Sequence, residues 1–207
     1  FPKKCPCPLK TEVVREVIAG GEEGARAHCT GEFACPFQRT QHLMHFVSRR
    51  AFDIDGLGEK QIQLFYENEW VREPGDIFTL AARDKKINLK EVEGYGETSV
   101  RNLFASIEMR RNIVLNRLIY GLGIRHIGET NARLLARHYG TIEALQKAAM
   151  AAQPPTEKKD KGNDDWQEMI AIGGIGEIVA EAVVEFFKEQ RNRDALKRLR
   201  DEINVEP

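Results

Sequence analysis

Ile54-Asp55-Gly56-Leu57-Gly58 is a short turn sequence that precedes a stretch with helical periodicity, and close relatives of it occur three more times. The further copies are Val92-Glu93-Gly94-Tyr95-Gly96, Gly123-Ile124-Arg125-His126-Ile127-Gly128 and Ile172-Gly173-Gly174-Ile175-Gly176. Their final glycines lie at 58, 96, 128 and 176, and the longest interval contains a charged insertion. This recurrence predicts one structural unit repeated four times, with hairpins near 54–58, 92–96, 123–128 and 172–176.

The residue types in each turn indicate a particular chemistry. Glycine allows positive φ and the close approach of another backbone, and the apolar residue between the glycines is expected to plug the turn into the core. The final glycine begins a helix, whose unpaired N–H groups and positive dipole end form a site for a phosphate oxygen. A single such turn merely connects two helices, and a dinucleotide site would need a preceding strand. Four copies in register favour an anion-binding repeat over both alternatives.

Side chains just after each turn extend this prediction. Glu follows the final glycine in all four copies, where an acid in the first turn stabilises the helix N-terminus. The next residue is Lys60, Thr98 or Thr130 in the first three copies, and each of them can donate to a phosphate. Ile178 occupies that position in the fourth copy, so the fourth hairpin is expected to serve mainly in packing.

The remaining patterns predict a mainly α fold. Helical periodicity begins near Thr40 and continues over 58–70, 75–83, 96–117, 128–138, 141–151 and 176–202. Strand signals are confined to Val13-Val14 and Ala27-His28. Residues 153–165 combine two prolines, a glycine and alternating charge, which predicts an exposed, mobile loop insertion.

Charge is balanced overall but unevenly distributed. The formal net charge of −1 argues against a simple polycation, yet residues 98–140 hold seven arginines against two acids. This local field can attract a polyanion, although solvated helix faces would give the same composition. No stretch approaches the ~18 apolar residues of a membrane span, and the N-terminus does not read as a signal peptide. A start at Phe1 rather than Met predicts a fragment of a longer protein.

All four cysteines, Cys5, Cys7, Cys29 and Cys35, lie within the first 35 residues. Because nothing signals secretion, this clustering indicates a metal site rather than disulfides. Four thiolates suit a tetrahedral structural zinc, which stabilises a segment too small to build its own core. Buried reduced cysteines are the alternative, and His28 is an alternative ligand. The sequence thus predicts a small four-cysteine zinc-finger module over 1–38, followed by an all-α domain over 39–207.

Together these motifs resemble helix-hairpin-helix repeats, and four copies behind a cysteine module resemble the NAD-dependent bacterial DNA ligases. The resemblance covers nearly the whole chain, and it includes Cys29-Thr30-Gly31 with Cys35-Pro36 and the stretches 41–58 and 118–128. The first cysteine pair departs from the family pattern, which is Cys-x-x-Cys, because here it is Cys5-Pro6-Cys7.

The resemblance implies the DNA-binding part of a ligase that seals nicks in duplex DNA during replication and repair. Its hairpins would contact phosphates without regard to base identity. The implied contact residues are Gly56, Gly58, Lys60, Gly94, Gly96, Thr98, Arg101, Arg125, Gly128, Thr130, Arg133, Gly174 and Gly176. Arg49, Arg50 and Arg137 are expected to add to the surrounding field. The family's adenylated lysine lies in a Lys-x-Asp-Gly motif, which this sequence lacks, so we expect the chain alone to have no catalytic residue, to bind no NAD and to seal no nicks.

The implied partners are nicked duplex DNA and other domains of the same enzyme. Adenylation and oligonucleotide-binding domains would precede Phe1, and a BRCT domain would follow Pro207. We expect a monomer in the bacterial cytoplasm, associated with the nucleoid and with no membrane. Two alternatives stay open: a DNA glycosylase, whose four cysteines bind an iron–sulfur cluster near its C-terminal end, and a non-catalytic helix-hairpin-helix module for repair or junction binding.

Overall fold

The computed structural model describes residues 2–8, 10, 12–17, 23–29, 35–156 and 160–207. By their internal contacts these residues form two compact units, Phe1–Leu43 and Met44–Pro207. Helix α1 (Pro36–Val47) begins in the first unit and ends in the second. The domain boundary expected after residue 38 stays a prediction.

The first unit contains a two-stranded antiparallel sheet of β1 (Val13–Val17) and β2 (Glu23–Cys29). Both strand signals in the sequence fall within it, because Val14 pairs with His28 and Arg15 with Ala27. The register shifts between Arg15 and Val17. An isolated bridge between Lys4 and Glu12 brings the N-terminal segment beside this sheet.

The second unit is mainly helical, which confirms the predicted fold class. Its helices are α2 (Glu59–Glu67), α3 (Pro74–Phe78), α4 (Leu80–Ile87), α5 (Glu97–Met109), α6 (Leu115–Gly121), α7 (Glu129–Tyr139), α8 (Ile142–Ala151), α9 (Asp164–Ala171), α10 (Glu177–Lys188) and α11 (Gln190–Arg200). Two short strands, β3 (Asn112–Val114) and β4 (Asn204–Glu206), pair in parallel. Over the described residues, none of the helices has the length and apolar character that crossing a membrane requires.

Two long helices expected from the sequence are interrupted. The prediction of one helix over 96–117 is wrong, because α5 ends at Met109 and β3 follows, with Ile113 buried and paired to β4. The stretch 176–202 breaks at Glu189, whose backbone is extended and whose carboxylate accepts a hydrogen bond from the N–H of Arg191 at the start of α11. Both interruptions depend on capping or long-range pairing, which helical periodicity does not report.

The connection between α8 and α9 is shorter than the predicted loop over 153–165. Helix α9 begins at Asp164, and Asn163 caps it by accepting from the N–H of Trp166 at 3.1 Å. Asn163 also accepts from the N–H of Gln153 at 2.9 Å and donates to the carbonyl of Ala151 at 2.9 Å, so it closes the base of the loop. Residues 157–159 lie outside the described residues, and the mobility of the loop stays a prediction.

Three buried phenylalanine rings pack together in the second unit. The rings of Phe46 and Phe52 stack with centroids 4.0 Å apart, and Phe78 packs edge-on with its centroid 5.8 Å from that of Phe52. A Cβ added to Gly121 would lie 3.2 Å from two ring carbons of Phe52, so α6 approaches the cluster closely. Because Phe52 lies between α1 and α2, this packing holds the segment that carries the first hairpin.

Arg111 connects the C-terminal strand to the body of the unit. Its Nη1 donates to the carbonyl of Glu202 at 2.7 Å, and its Nη2 donates to the carbonyl of Phe78 at 2.8 Å. Its own carbonyl accepts from the N–H of Asn204 at 2.7 Å, at the start of β4. One side chain therefore satisfies backbone oxygens from two distant segments.

Arg111→Ala is expected to lower the free energy of unfolding by about 1–3 kcal/mol, because the carbonyls of Phe78 and Glu202 lose a charged donor. Urea unfolding followed by circular dichroism measures this change. Arg101→Ala is the matched control, since Arg101 is exposed on α5 and forms no ion pair with any described residue. The control should change stability by less than about 0.5 kcal/mol, and equal losses for the two variants would contradict the role given to Arg111.

Candidate nucleic-acid interface and metal centre

The four predicted hairpins share one backbone geometry. A residue with positive φ lies two positions before each helix N-cap, with φ of +88° at Gly56, +87° at Gly94, +62° at His126 and +95° at Gly174. The N-caps themselves have extended backbones and are Gly58, Gly96, Gly128 and Gly176. The helices that follow them are α2, α5, α7 and α10. The repeat seen in the sequence is therefore a repeat of backbone conformation.

The third hairpin reaches this conformation without glycine. His126 occupies the left-handed position, and its carbonyl accepts from Asn131 Nδ2 at 3.0 Å. Gly123, expected to belong to the hairpin, has φ of +66° directly after the last residues of α6, where a left-handed glycine commonly ends a helix. Aligning the four copies on their final glycine, rather than on their first, would have identified His126.

The apolar residue inside each turn packs as expected in three hairpins. Leu57, Ile127 and Ile175 are buried, with 5%, 7% and 2% of their surface exposed. Tyr95 is only partly buried, and its ring stacks on Phe65 with centroids 5.9 Å apart. Burial raises the pKa of the Tyr95 hydroxyl to about 12, so this hydroxyl stays neutral at physiological pH. Packing of these four side chains thus holds each turn against the helices of the second unit.

The hairpins pack in pairs. Gly56 of the first lies against α5 of the second, where an added Cβ would come 3.4 Å from Leu103 Cδ1. The N–H of Asp55 donates to Ser106 Oγ at 2.8 Å, also on α5. Gly174 of the fourth lies against α7 of the third, where an added Cβ would come 2.8 Å from Leu134 Cδ1. Each glycine thus permits both a left-handed turn and a close approach to the neighbouring repeat.

The helix N-termini at these turns are open to solvent. All four N-cap residues are exposed glycines, which have no side chain with which to cap the helix. The predicted donors Lys60, Thr98 and Thr130 are likewise exposed, two residues after the N-cap glycine. Backbone N–H groups of a first helical turn, the positive end of the helix dipole and a side-chain donor therefore coincide at three hairpins.

The fourth hairpin differs from the packing role expected for it. Ile178 is 50% exposed, so it does not pack inside this unit. Ile175, the apolar residue inside the turn, is buried and packs instead. The fourth hairpin therefore presents an apolar side chain to solvent at the position where the other three present a donor.

The arginines of the 98–140 segment separate into two groups. Three are fixed by hydrogen bonds: Arg110 to Asp53, Arg111 as described above, and Arg117 to the carbonyls of Ala51 and Arg49. Four predicted contributors to the field are exposed at the surface, namely Arg101, Arg125, Arg133 and Arg137. Among these, Arg125 pairs with Glu185 at 3.3 Å and Arg133 with Glu129 at 3.6 Å. Because several of these arginines are engaged by protein partners, only part of the positive charge of residues 98–140 is available to a ligand.

Three of the four predicted metal ligands meet in the first unit. Cys5, Cys7 and Cys35 are buried, and their sulfur atoms lie within 4.8 Å of one another. The Cys5 and Cys35 sulfurs are 3.8 Å apart, which matches the separation of about 3.8 Å between two thiolates 2.3 Å from a tetrahedral zinc. The cluster could therefore hold a metal ion.

The fourth predicted ligand, Cys29, is placed only by its backbone. It ends β2 opposite Val13, and the Val13 side chain packs against the three clustered cysteines. The side chains of Cys29 and of His28, the alternative ligand beside it in the sequence, lie outside the described residues. Their ligand roles stay predictions.

One segment of the chain, which contains the third hairpin, matches a known family. Residues 117–152 match the family described as "Helix-hairpin-helix motif". This range begins in α6, contains the third hairpin, and ends just after α8.

The chain is also similar over its whole length to proteins named DNA ligase. It is 56% identical over 206 residues to one from Bradyrhizobium sp. (strain ORS 278) and 56% identical over 208 residues to one from Rhodopseudomonas palustris (strain BisB5). It is 51% identical over 210 residues to one from Xanthobacter autotrophicus (strain ATCC BAA-1158 / Py2). These alignments cover 99–100% of this chain, which spans 28–29% of the length of these relatives.

His126→Gly is expected to raise the free energy of unfolding by about 0.5–1 kcal/mol, because glycine adopts positive φ without strain. The greater freedom of glycine in the unfolded chain limits the gain. Gly94→Ala is the reverse variant and should lower the free energy of unfolding by about 1–2 kcal/mol. The φ of Gly94 is +87° and nothing lies within 4 Å of the added Cβ, so the loss comes from backbone strain alone. Urea unfolding of both variants measures the effects, and destabilisation by His126→Gly would contradict the assignment of strain to this turn.

Proposed function

We propose that this chain is a part of a DNA ligase, namely a part that binds duplex DNA, because its similarity to proteins named DNA ligase extends over its whole length. The observation that carries the proposal is the fourfold repetition of one turn, with an open helix N-terminus at each copy. Such N-termini bind phosphate oxygens through backbone N–H groups, and contacts of this kind do not depend on base identity. The grip is therefore independent of DNA sequence.

The four hairpins contribute unequally to this grip. The first three combine backbone N–H groups with Lys60, Thr98 or Thr130, while Ile178 gives the fourth no side-chain donor. Exposed cations near the turns, Arg101 and Arg133 among them, add a field that does not require exact positioning. Because hairpin 1 packs against hairpin 2, and hairpin 4 against hairpin 3, the phosphate contacts would come in pairs.

The finer parts of the proposal rest on the family resemblance. The enzyme would use NAD to seal nicks during replication and repair, and its partners would be nicked duplex DNA and its own adenylation, oligonucleotide-binding and BRCT domains. This chain contains no Lys-x-Asp-Gly sequence, so it would bind DNA without taking up AMP from NAD. We place it, as a monomer, in the bacterial cytoplasm with the nucleoid.

A structural zinc is proposed for the cysteine cluster. Cys5, Cys7 and Cys35 supply three sulfur ligands at a spacing that suits zinc, and Cys29 would complete a closed tetrahedral set. A closed set leaves no position for a reacting water, so the metal would stabilise the first unit. An iron–sulfur cluster of a glycosylase is less consistent with the similarity to ligases.

Binding of a nicked duplex by the whole chain is expected to weaken steeply with salt. If about four to six phosphates are neutralised, the slope of log K against log salt should be about −4 to −5. Lys60→Ala should make that slope less negative by about 1, whereas Lys197→Ala, an exposed lysine of α11 outside every hairpin, should leave it unchanged. Fluorescence anisotropy over a salt series measures the slopes, and a wild-type slope near zero would contradict the phosphate grip.

Zinc analysis is expected to find one zinc ion per chain, and Cys35→Ser should reduce this content to near zero because one buried sulfur ligand is lost. Lys3→Ser is the matched control, since Lys3 is exposed in the same segment as Cys5. Elemental analysis of the purified variants measures the content. Full zinc retention by Cys35→Ser, or another metal in the wild-type chain, would contradict the assignment.

A further inference from the structure

A cleft beside the third hairpin is lined by arginine side chains, whose positive charge adds to that of the hairpin helix N-termini. It has a volume of about 680 Å³ and lies entirely within the second unit. The residues that line it are Arg49, Arg50, Asn116, Arg117, Tyr120, Glu129 and Arg133. Four arginines and one carboxylate thus line this cleft, in a chain whose formal net charge is −1.

One of these arginines is fixed as part of the wall. Arg117 Nε donates to the carbonyl of Ala51 at 2.6 Å, and its Nη2 donates to the carbonyl of Arg49 at 2.6 Å. These bonds hold the segment containing Arg49 and Arg50 against α6. The cleft is therefore built by the fold rather than by flexible side chains alone.

The other charges are free to exchange partners. Glu129 lies 3.1 Å from Arg50 Nη1 and 3.6 Å from Arg133 Nη2. The side chains of Arg50 and Arg133 are 72% and 66% exposed, so solvent screens both ion pairs and each is weak. A phosphodiester, whose two non-bridging oxygens share one negative charge and match guanidinium in a bidentate geometry, can replace Glu129 as their partner.

Glu129 is unusual among the four equivalent acids. Glu59, Glu97 and Glu177 are also the first residues of their helices, yet they are exposed and form no ion pair with any described residue. Stabilisation of the helix N-terminus explains all four acids equally. It does not explain why Glu129 alone among the four lines a cleft and pairs with two arginines.

We propose that this arginine cleft is a phosphate-binding site in which the Glu129 carboxylate occupies the anion position until a phosphate of the bound duplex displaces it. The inference rests on the proposed function, because it takes the duplex as the source of the phosphate. Glu129 then lowers DNA affinity, by holding Arg50 and Arg133 and by repelling the incoming phosphate. Arg50, Arg133 and the fixed Arg117 supply the donors.

The test compares Glu129→Gln with Glu97→Gln in the whole metal-bound chain. Both variants remove a first-turn acid, but only the first releases two arginines. At 0.1 M salt, Glu129→Gln should bind a nicked duplex about three- to tenfold more tightly, and Glu97→Gln should change affinity by at most about twofold. Unchanged or weaker binding by Glu129→Gln, with the wild-type chain binding normally, would overturn the proposal.

A second variant tests the cleft from the cationic side. Arg133→Ala should weaken duplex binding by about three- to tenfold and make the salt slope less negative by about 1. Arg191→Ala, an exposed arginine of α11 that neither lines the cleft nor belongs to a hairpin, should leave both quantities nearly unchanged. Equal effects of the two substitutions would mean that the position of Arg133 in the cleft does not matter, and they would overturn the proposal.

A titration with inorganic phosphate separates the two sources of the ligand. If the site takes a phosphodiester of the duplex, Glu129→Gln should tighten duplex binding and leave phosphate binding weak. Tighter binding of phosphate alone would assign the site to a free phosphate and overturn the duplex assignment. A wild-type chain without salt-dependent duplex binding would contradict the proposed function, and the phosphate titration would still decide whether the cleft binds anions.

Discussion

Much of the second unit depends on a single backbone constraint, a left-handed residue two positions before a helix N-cap. That residue reverses the chain so sharply that the next side chain is buried and the following N-cap faces solvent, as at Gly56, Leu57 and Gly58. One conformational choice thus fixes an anchor in the core and an open helix N-terminus at the surface. The constraint also explains the pairing of repeats, because Gly174 at this position lets the fourth turn approach Leu134. Stability and the proposed phosphate binding therefore derive from the same three residues.

Arginine has two roles in this fold, and its neighbours decide which. Arg111 and Arg117 donate to backbone carbonyls of distant segments, so they fix β4 and the segment before the first hairpin. Arg101 and Arg137 remain exposed on helix faces. An excess of arginine in the sequence consequently overstates the field that a polyanion would meet. The difference matters for the salt dependence of the proposed DNA binding, because an arginine held by backbone carbonyls has fewer donors left for the phosphates whose neutralisation releases counterions.

The sequence predicts local features of this structure well and long-range features poorly. The hairpins, the mainly α class and the β1–β2 strands follow from short patterns, because turn chemistry and periodicity act within a few residues. The break after Met109 does not, because β3 forms only by pairing with β4, about ninety residues later in the chain. The left-handed conformation of His126 was not predicted for a different reason. Positive φ is costly for a non-glycine residue, and it is tolerated where the surrounding turn holds the backbone in place. The cysteines predict a metal site by type and clustering, and folding brings three of their side chains together.

The arginine cleft illustrates how repeats with one backbone acquire different electrostatics. Glu129 and Glu97 hold equivalent positions, so the sequence gives no reason to separate them. They differ because Arg50, which is seventy-nine residues before Glu129, is held near it by hydrogen bonds from Arg117 to the carbonyls of Arg49 and Ala51 on either side of Arg50. The carboxylate that supports a helix N-terminus thereby becomes the partner of two cations, and both ion pairs are weak enough to be exchanged. A site of this kind combines preformed positive charge with an internal anion, so affinity for a polyanion is limited by the fold itself rather than by solvent ions alone.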